Sequence, residues 1–150
     1  MQRELFPNLS ESHRCSIRIT LTLLDEALCR FAEWAQGREV RSVLYAQEND
    51  LSTKQREGIL ADVGGIHQIL MELRETLALE TKPQSVPRAI RASCYILWVN
   101  ITEITGRYLR GHGEPPKELV EYLDPKLHRI LEYLDHIKRL LSDDFKGLEI

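Results

Sequence analysis

The sequence has little of what builds covalently stapled, metal-held or membrane-spanning folds. Its 150 residues contain only three cysteines and no Cys-x-x-Cys pair, together with only eight glycines and six prolines. The longest strictly apolar run is 94–99, whereas a membrane-spanning helix needs about 20 apolar residues. These shortages argue against a disulfide scaffold, a zinc-bound module and a membrane protein. They favour a globular domain that is stabilised by its apolar core and needs no metal ion.

The sequence also lacks the short motifs of common catalytic and cofactor sites. It has no phosphate-binding glycine loop, no serine nucleophile elbow and no His-Glu-x-x-His pair. His128, Glu132 and His136 recur every four residues, but they point away from the apolar side of their helix, so we expect them to face water. A net charge of −3 and a pI near 6.0 argue against general affinity for nucleic acid or an anionic membrane. Because Met1–Ser10 has no signal-peptide layout, we expect a cytoplasmic protein. Since the motifs of cofactor and metal sites are missing, we expect no cofactor and no metal.

What the sequence does contain is a helical apolar pattern that occurs four times. Core-type residues stand at offsets 0, +4, +7, +11, +14 and +18 from Ile17, Ile59, Ile90 and Leu123. Steps of four and three keep side chains on one side of an α-helix, so each set forms an apolar seam about five turns long. Residues Cys15–Leu23 also alternate as in a strand, but the seam is longer and favours a helix. Four seams predict an all-α fold, an antiparallel four-helix bundle.

The first connection is long for such a bundle, in which about 2–8 residues are common. We expect the first helix to end at Gly37 and the second to begin at the capping box Ser52–Gln55. Between them, Val40, Val43 and Leu44 are expected to form one helical turn that covers an end of the bundle.

A proline is expected to interrupt the fourth helix. Asp124 suits the N-cap position and Pro125 the first helical position. We therefore expect a short helix at Pro116–Leu123 that bends into a long one at Pro125–Leu141. The single domain 1–150 is completed by an N-terminal arm at 1–9 and a tail at 142–150.

The third helix, expected to run from Ser85 to Gly111, is apolar on all sides in its middle. A helix in a simple bundle needs one apolar stripe, so the opposite side is an apolar patch that another element or molecule must cover. We expect a second copy or another protein subunit to bind there; an internal cover from Leu5, Phe6 and Leu9, or from the first connection, is the alternative. The predicted interface residues are Tyr95, Ile96, Trp98, Val99 and Leu109.

One motif near the end of this helix contains residue types that can take part in catalysis or phosphate binding. Arg107 and His112 are separated by four residues, a spacing that resembles the Arg-x4-6-His signature of HEPN domains. These are small helical bundles that include ribonucleases and nucleotide-binding proteins. The resemblance implies that the two residues meet their counterparts at a dimer interface, where Arg107 stabilises a phosphate and His112 acts as an acid, a base or a positioning group. The sequence departs from the signature at Tyr108, where the family commonly has a polar residue.

Taken together, these patterns predict a non-enzymatic interaction or scaffold protein that associates through its third helix. The alternative is a HEPN-like RNA-cleaving or nucleotide-binding protein that uses Arg107 and His112.

Overall fold

The structure, a computed structural model, describes residues 6–143 and is all-helical over that range. The chain divides into two compact units, Met1–Lys82 and Pro83–Ile150. Among the described residues, the first unit contains two long helices and the second contains two long helices and one short one. The helices are α1 Glu11–Ala35, α2 Thr53–Thr76, α3 Val86–Thr102, α4 Gly106–Leu109 and α5 Lys117–Asp143.

Helix α1 begins and ends where its capping residues predict. The hydroxyl of Ser10 accepts a hydrogen bond from the backbone N–H of His13 at 3.1 Å, which satisfies one free donor of the first turn. At the other end Gly37 has φ +91°, and its N–H donates to the carbonyl of Trp34 at 2.9 Å. Glycine fits this left-handed position because it has no Cβ. The helical prediction for Cys15–Leu23 is confirmed, since that stretch lies inside α1.

Helix α2 starts at the predicted capping box and packs antiparallel to α1. The Ser52 hydroxyl accepts from the Gln55 N–H while the Gln55 side chain accepts from the Ser52 N–H. The start of α1 lies beside the end of α2, because Arg14 Nε donates to the carbonyl of Leu77 at 3.1 Å. The buried apolar residues of this unit are Leu28, Ala35 and Val63.

The first connection is an ordered hairpin loop rather than a helical turn, so that prediction is wrong. Arg41 and Ala46 form an isolated antiparallel bridge, and the N–H of Ser42 donates to the carbonyl of Tyr45 at 2.7 Å. Val43 and Leu44 form its tip and are 93% and 100% exposed, so they cover no other side chain. We call 38–50 the first loop.

The second unit is built on the antiparallel packing of α3 and α5. Cys94 of α3 is 3% exposed, and Leu127 and Leu131 of α5 are 4% and 9% exposed. By contrast, Ile130 and Ile137, which belong to the predicted seam of α5, are 44% and 37% exposed. Leu127 of the seam is buried together with Leu131, which lies outside the seam, so the side of α5 that packs is rotated from the predicted seam.

The third helix ends at Thr102, nine residues before the predicted end at Gly111. A new short helix, α4, begins at Gly106. The sequence between them explains the break, since β-branched residues and a glycine both disfavour a helix interior. Gly106 also packs closely against α5: a Cβ built on it would lie 2.5 Å from Cγ1 of Val120.

Helix α5 runs through Pro125 as one helix from Lys117 to Asp143, so the structure does not have the separate short helix expected before it. Proline removes one hydrogen bond to the preceding turn, and the helix tolerates that loss. Asp124 does not cap a new helix. Its Oδ1 accepts instead from the backbone N–H of Gly106 at 2.9 Å, which ties α5 to the start of α4.

Candidate interaction surface

Helix α3 buries little of its apolar surface. Ser85 accepts a hydrogen bond from the backbone N–H of Arg88 at 3.4 Å, and Pro87 lies in the first turn, where its missing N–H has no cost. Cys94 is its buried apolar residue and Ile101 is half-buried. The other large apolar side chains of the helix remain exposed.

Four of the five predicted interface residues form one continuous patch on α3. Tyr95 and Ile96 are each 63% exposed, Val99 is 51% exposed and Trp98 is 38% exposed. Residues three and four positions apart are neighbours on a helix surface, which joins Tyr95 to both Trp98 and Val99, and Ile96 to Val99. We call these four residues the third-helix patch. The fifth, Leu109, lies on α4 and is half-buried, so the helix break separates it from the patch.

The edge of the patch nearest α5 is fixed by a cation–π contact. The Nζ atom of Lys138 lies 4.4 Å from the centre of the Tyr95 ring, and the same ammonium group lies 3.0 Å from Oδ1 of Asp135. Contacts of this type at exposed sites contribute about 0.5–1 kcal/mol. Tyr95 is thereby held at the boundary of the helix pair while its ring stays largely in solvent.

The charged residues of α3 nearest the patch are Arg88, Arg91 and its C-cap residue Glu103. Within 6–143 none of these three forms an ion pair, and Arg107 lies on α4, beyond the helix break. The guanidinium of Arg107 lies 5.8 Å from the ring centre of Tyr108. An apolar centre with arginines at its rim is typical of protein interfaces, in which aromatic residues and arginine are enriched.

The two residues of the HEPN-like motif lie on a short, exposed segment. Arg107 is in α4 and His112 is in the turn that follows it, between Gly111 and Gly113. The backbone N–H of His112 donates to the carbonyl of Leu109 at 2.9 Å. Both side chains are exposed, and no side-chain hydrogen bond or ion pair between them is seen in the described part of the chain.

The spaced histidines of the last helix also face solvent. His128, Glu132 and His136 are exposed, and a carboxylate oxygen of Glu132 accepts from Arg129 at 2.7 Å. Across residues 6–143 no group of three or more histidine, cysteine or acidic side chains is arranged to hold a metal ion.

Sequence reasoning missed the first loop as a surface. Its tip carries the most exposed large apolar residues described here, Val43 and Leu44. The sequence carried only a partial signal: Asn49 is a residue type whose side chain commonly hydrogen-bonds to backbone in turns.

No family model, curated protein or solved structure matches this chain. Among the helices of residues 6–143, none combines the length and apolar character that crossing a membrane requires.

Proposed function

We propose that the protein is a non-enzymatic interaction protein that self-associates through the third-helix patch. The observation that carries the proposal is the exposure of four adjacent large apolar residues, two of them aromatic, on a helix that has one buried apolar residue. Contiguous exposed apolar patches of this kind mark interaction sites on proteins.

Burial of the patch would provide a substantial driving force. Complete burial of a side chain such as Ile96 or Val99 contributes about 1.5–3 kcal/mol. Aromatic residues add large contact areas at little cost in side-chain entropy, and they are frequent at interface centres. Arg88, Arg91 and Glu103, none of which forms an ion pair in the described part of the chain, supply a polar rim that keeps the surface compatible with water before association.

The expected internal covers were the first loop and the N-terminal arm. Val43 and Leu44 of the first loop are almost wholly exposed, and Phe6 of the arm is 51% exposed. Leu9 is half-buried, whereas Leu5 lies outside the described residues.

The antiparallel four-helix arrangement and the cytoplasmic location are also part of this proposal. Four long helices, each with an apolar side, are the components that such a bundle needs. The three cysteines are free thiols, as is usual in a reducing compartment.

A charge placed in the patch tests the proposal. Val99→Glu would bury an unpaired carboxylate in the interface, at a cost of about 3–5 kcal/mol, and should weaken self-association at least about 100-fold. Gln68→Glu adds the same charge at an exposed position of α2 and should leave association unchanged. Equilibrium sedimentation of the two variants measures both effects.

The same measurements distinguish a second copy of the chain from the other candidates that could cover the patch. If the wild type is monomeric and Val99→Glu lowers its thermal stability, the patch is covered within the chain and the proposal is wrong. If the wild type is monomeric and the variant is as stable as the wild type, a different protein subunit becomes the remaining candidate for an interaction through α3.

The RNA-cleaving alternative is favoured by one observation, the exposed and unpaired state of Arg107 beside the turn that carries His112. The test is incubation of labelled RNA with the purified protein and a chelator. We expect no cleavage. Cleavage that His112→Ala abolishes, while the control His128→Ala leaves it intact, would replace the interaction proposal with a metal-independent ribonuclease.

A further inference from the structure

The tip of the first loop is apolar where loop tips are usually polar. Tight turns favour glycine, asparagine, aspartate and serine, but here the two tip residues are Val43 and Leu44, which are 93% and 100% exposed. Tyr45 beside them is 55% exposed. Two adjacent aliphatic side chains in water gain free energy when another surface covers them.

A network of hydrogen bonds holds the tip in place. The Oε1 atom of Gln47 accepts from Trp34 Nε1 at 3.0 Å and from the Val40 N–H at 3.1 Å. Gln47 Nε2 donates to the Tyr45 hydroxyl at 2.6 Å, and the Gln47 N–H donates to the Val40 carbonyl at 2.8 Å. Because the loop is already ordered, docking of the tip loses little conformational entropy.

Asn49 fixes the base of the same loop. Its Nδ2 donates to the carbonyl of Trp34 at 2.6 Å and to that of Arg38 at 3.0 Å. The Asn49 N–H donates to Oε2 of Glu39 at 3.0 Å. The loop is therefore attached to the end of α1 and presents its tip as a fixed projection.

The charge of the loop surface is negative once its ion pairs are counted. Arg38 pairs with Glu33 at 3.3 Å and Arg41 pairs with Glu39 at 3.2 Å. The exposed Glu48 and Asp50 form no ion pair with any residue of the described chain. An anionic membrane would repel these carboxylates, whereas a surface with free arginines would attract them.

We propose that Val43 and Leu44 dock on the third-helix patch of a second copy of this chain. The patch offers aromatic and aliphatic side chains to the tip, and Arg88 and Arg91 of the same helix, which form no ion pair in the described chain, complement the free carboxylates of the loop. The inference rests on the proposed self-association and names the segment that binds the patch. Since stable interfaces bury about 800 Å² on each partner, the two-residue tip is one component of the interface and not the whole of it.

The first experiment changes the tip alone. Leu44→Asp should weaken self-association at least about tenfold in equilibrium sedimentation, because it places a carboxylate in an apolar contact. Leu44→Met keeps an apolar side chain of similar size and should associate as the wild type does. Since Leu44 is fully exposed, neither substitution should affect folding.

The two proposals can fail separately. If Leu44→Asp associates normally while Val99→Glu does not, the tip is not part of the interface, although the proposed function stands. A wild type that remains monomeric overturns both.

A second experiment tests the charge pairing and the direction of the contact. Asp50→Lys and Arg91→Glu should each weaken association several-fold, and the double variant should recover most of the loss.

A photo-cross-linking residue at position 44, in a mixture of isotopically heavy and light chains, should give heavy–light products that map to 86–109. Products confined to single chains, or heavy–light products that map elsewhere, would overturn the inference.

Discussion

The first loop and the third helix both expose apolar side chains, but different forces hold them in place. In the loop, hydrogen bonds from Gln47 and Asn49 fix a tip of two aliphatic residues. In the helix, packing around Cys94 holds a broader patch on a regular backbone. Side-chain hydrogen bonds therefore present apolar residues in the loop, as helix packing does in α3. We expect substitutions in the two regions to have different costs.

The largest expected effect is the difference in stability between truncation of a buried leucine and truncation of an exposed one. Leu28 of α1 is 2% exposed and Leu44 is 100% exposed. Leu28→Ala should lower the free energy of unfolding by about 2–5 kcal/mol, because it removes buried methyl groups and leaves a cavity. Leu44→Ala should change it by less than about 0.5 kcal/mol. Urea unfolding measures both, and equal costs would contradict the assigned burial.

The next effect concerns the close packing that follows the third helix. Gly106→Ala would place a Cβ 2.5 Å from Val120 Cγ1, and this overpacking should cost about 1–3 kcal/mol of unfolding free energy. Gly64→Ala is the matched control, since a Cβ at Gly64 in α2 meets no atom within 4 Å. The control should stabilise the protein by about 0.5–1 kcal/mol through higher helix propensity. A stabilising Gly106→Ala would show that α4 does not approach α5 closely.

These two regions also show how far the sequence predicts the structure. The helical starts at Ser52 and Ser85 were predictable because capping acts over three or four residues. The end of α3 was missed because the apolar period continues to Tyr108 while local propensity fails at Ile101–Gly106. Periodicity reports which side of a helix is apolar and does not report whether the helix continues.

The predicted interface residues illustrate the same limit. Tyr95, Ile96, Trp98 and Val99 share a helix, so their common patch could be read from spacing alone. Leu109 could not be placed because it follows the helix break. The tip at Val43 and Leu44 depends on hydrogen bonds between residues up to fifteen positions apart, such as Asn49 to the Trp34 carbonyl, and no short periodic pattern encodes such contacts.

A smaller loss is expected when the base of the first loop is released. Asn49→Ala removes three side-chain hydrogen bonds. It should cost about 1.5–2 kcal/mol of unfolding free energy, because each bond of this partly exposed side chain contributes near the lower end of roughly 0.5–1.5 kcal/mol. Ser42→Ala, at an exposed position near the tip, is the control and should have little effect. Hydrogen exchange should show faster exchange in 38–50 for Asn49→Ala alone. Unchanged protection would mean that Asn49 does not fix the loop.

The smallest expected effect is a loosening of the first loop at low pH. Hydrogen bonds from the Asn49 N–H and from Arg41 lower the pKa of Glu39 below its ordinary value of 4.5. A lowered folded-state pKa means that the carboxylate's contribution is present above pH 4.5 and is lost as the pH falls through the folded-state pKa. Trp34 fluorescence should report loosening of the loop below pH 4.5, with a smaller change in Glu39→Gln. If Glu39→Gln shows the same fluorescence change below pH 4.5, a different carboxyl group causes the transition.

The most direct test of the account is the mass of the wild-type chain as a function of concentration. Light scattering coupled to size exclusion should give the dimer mass, near twice 17.4 kDa, at high micromolar concentration, and the mass should fall towards that of one chain on dilution. Such a result is expected if the third-helix patch is covered by a second copy. A mass of one chain at every concentration would contradict self-association through α3.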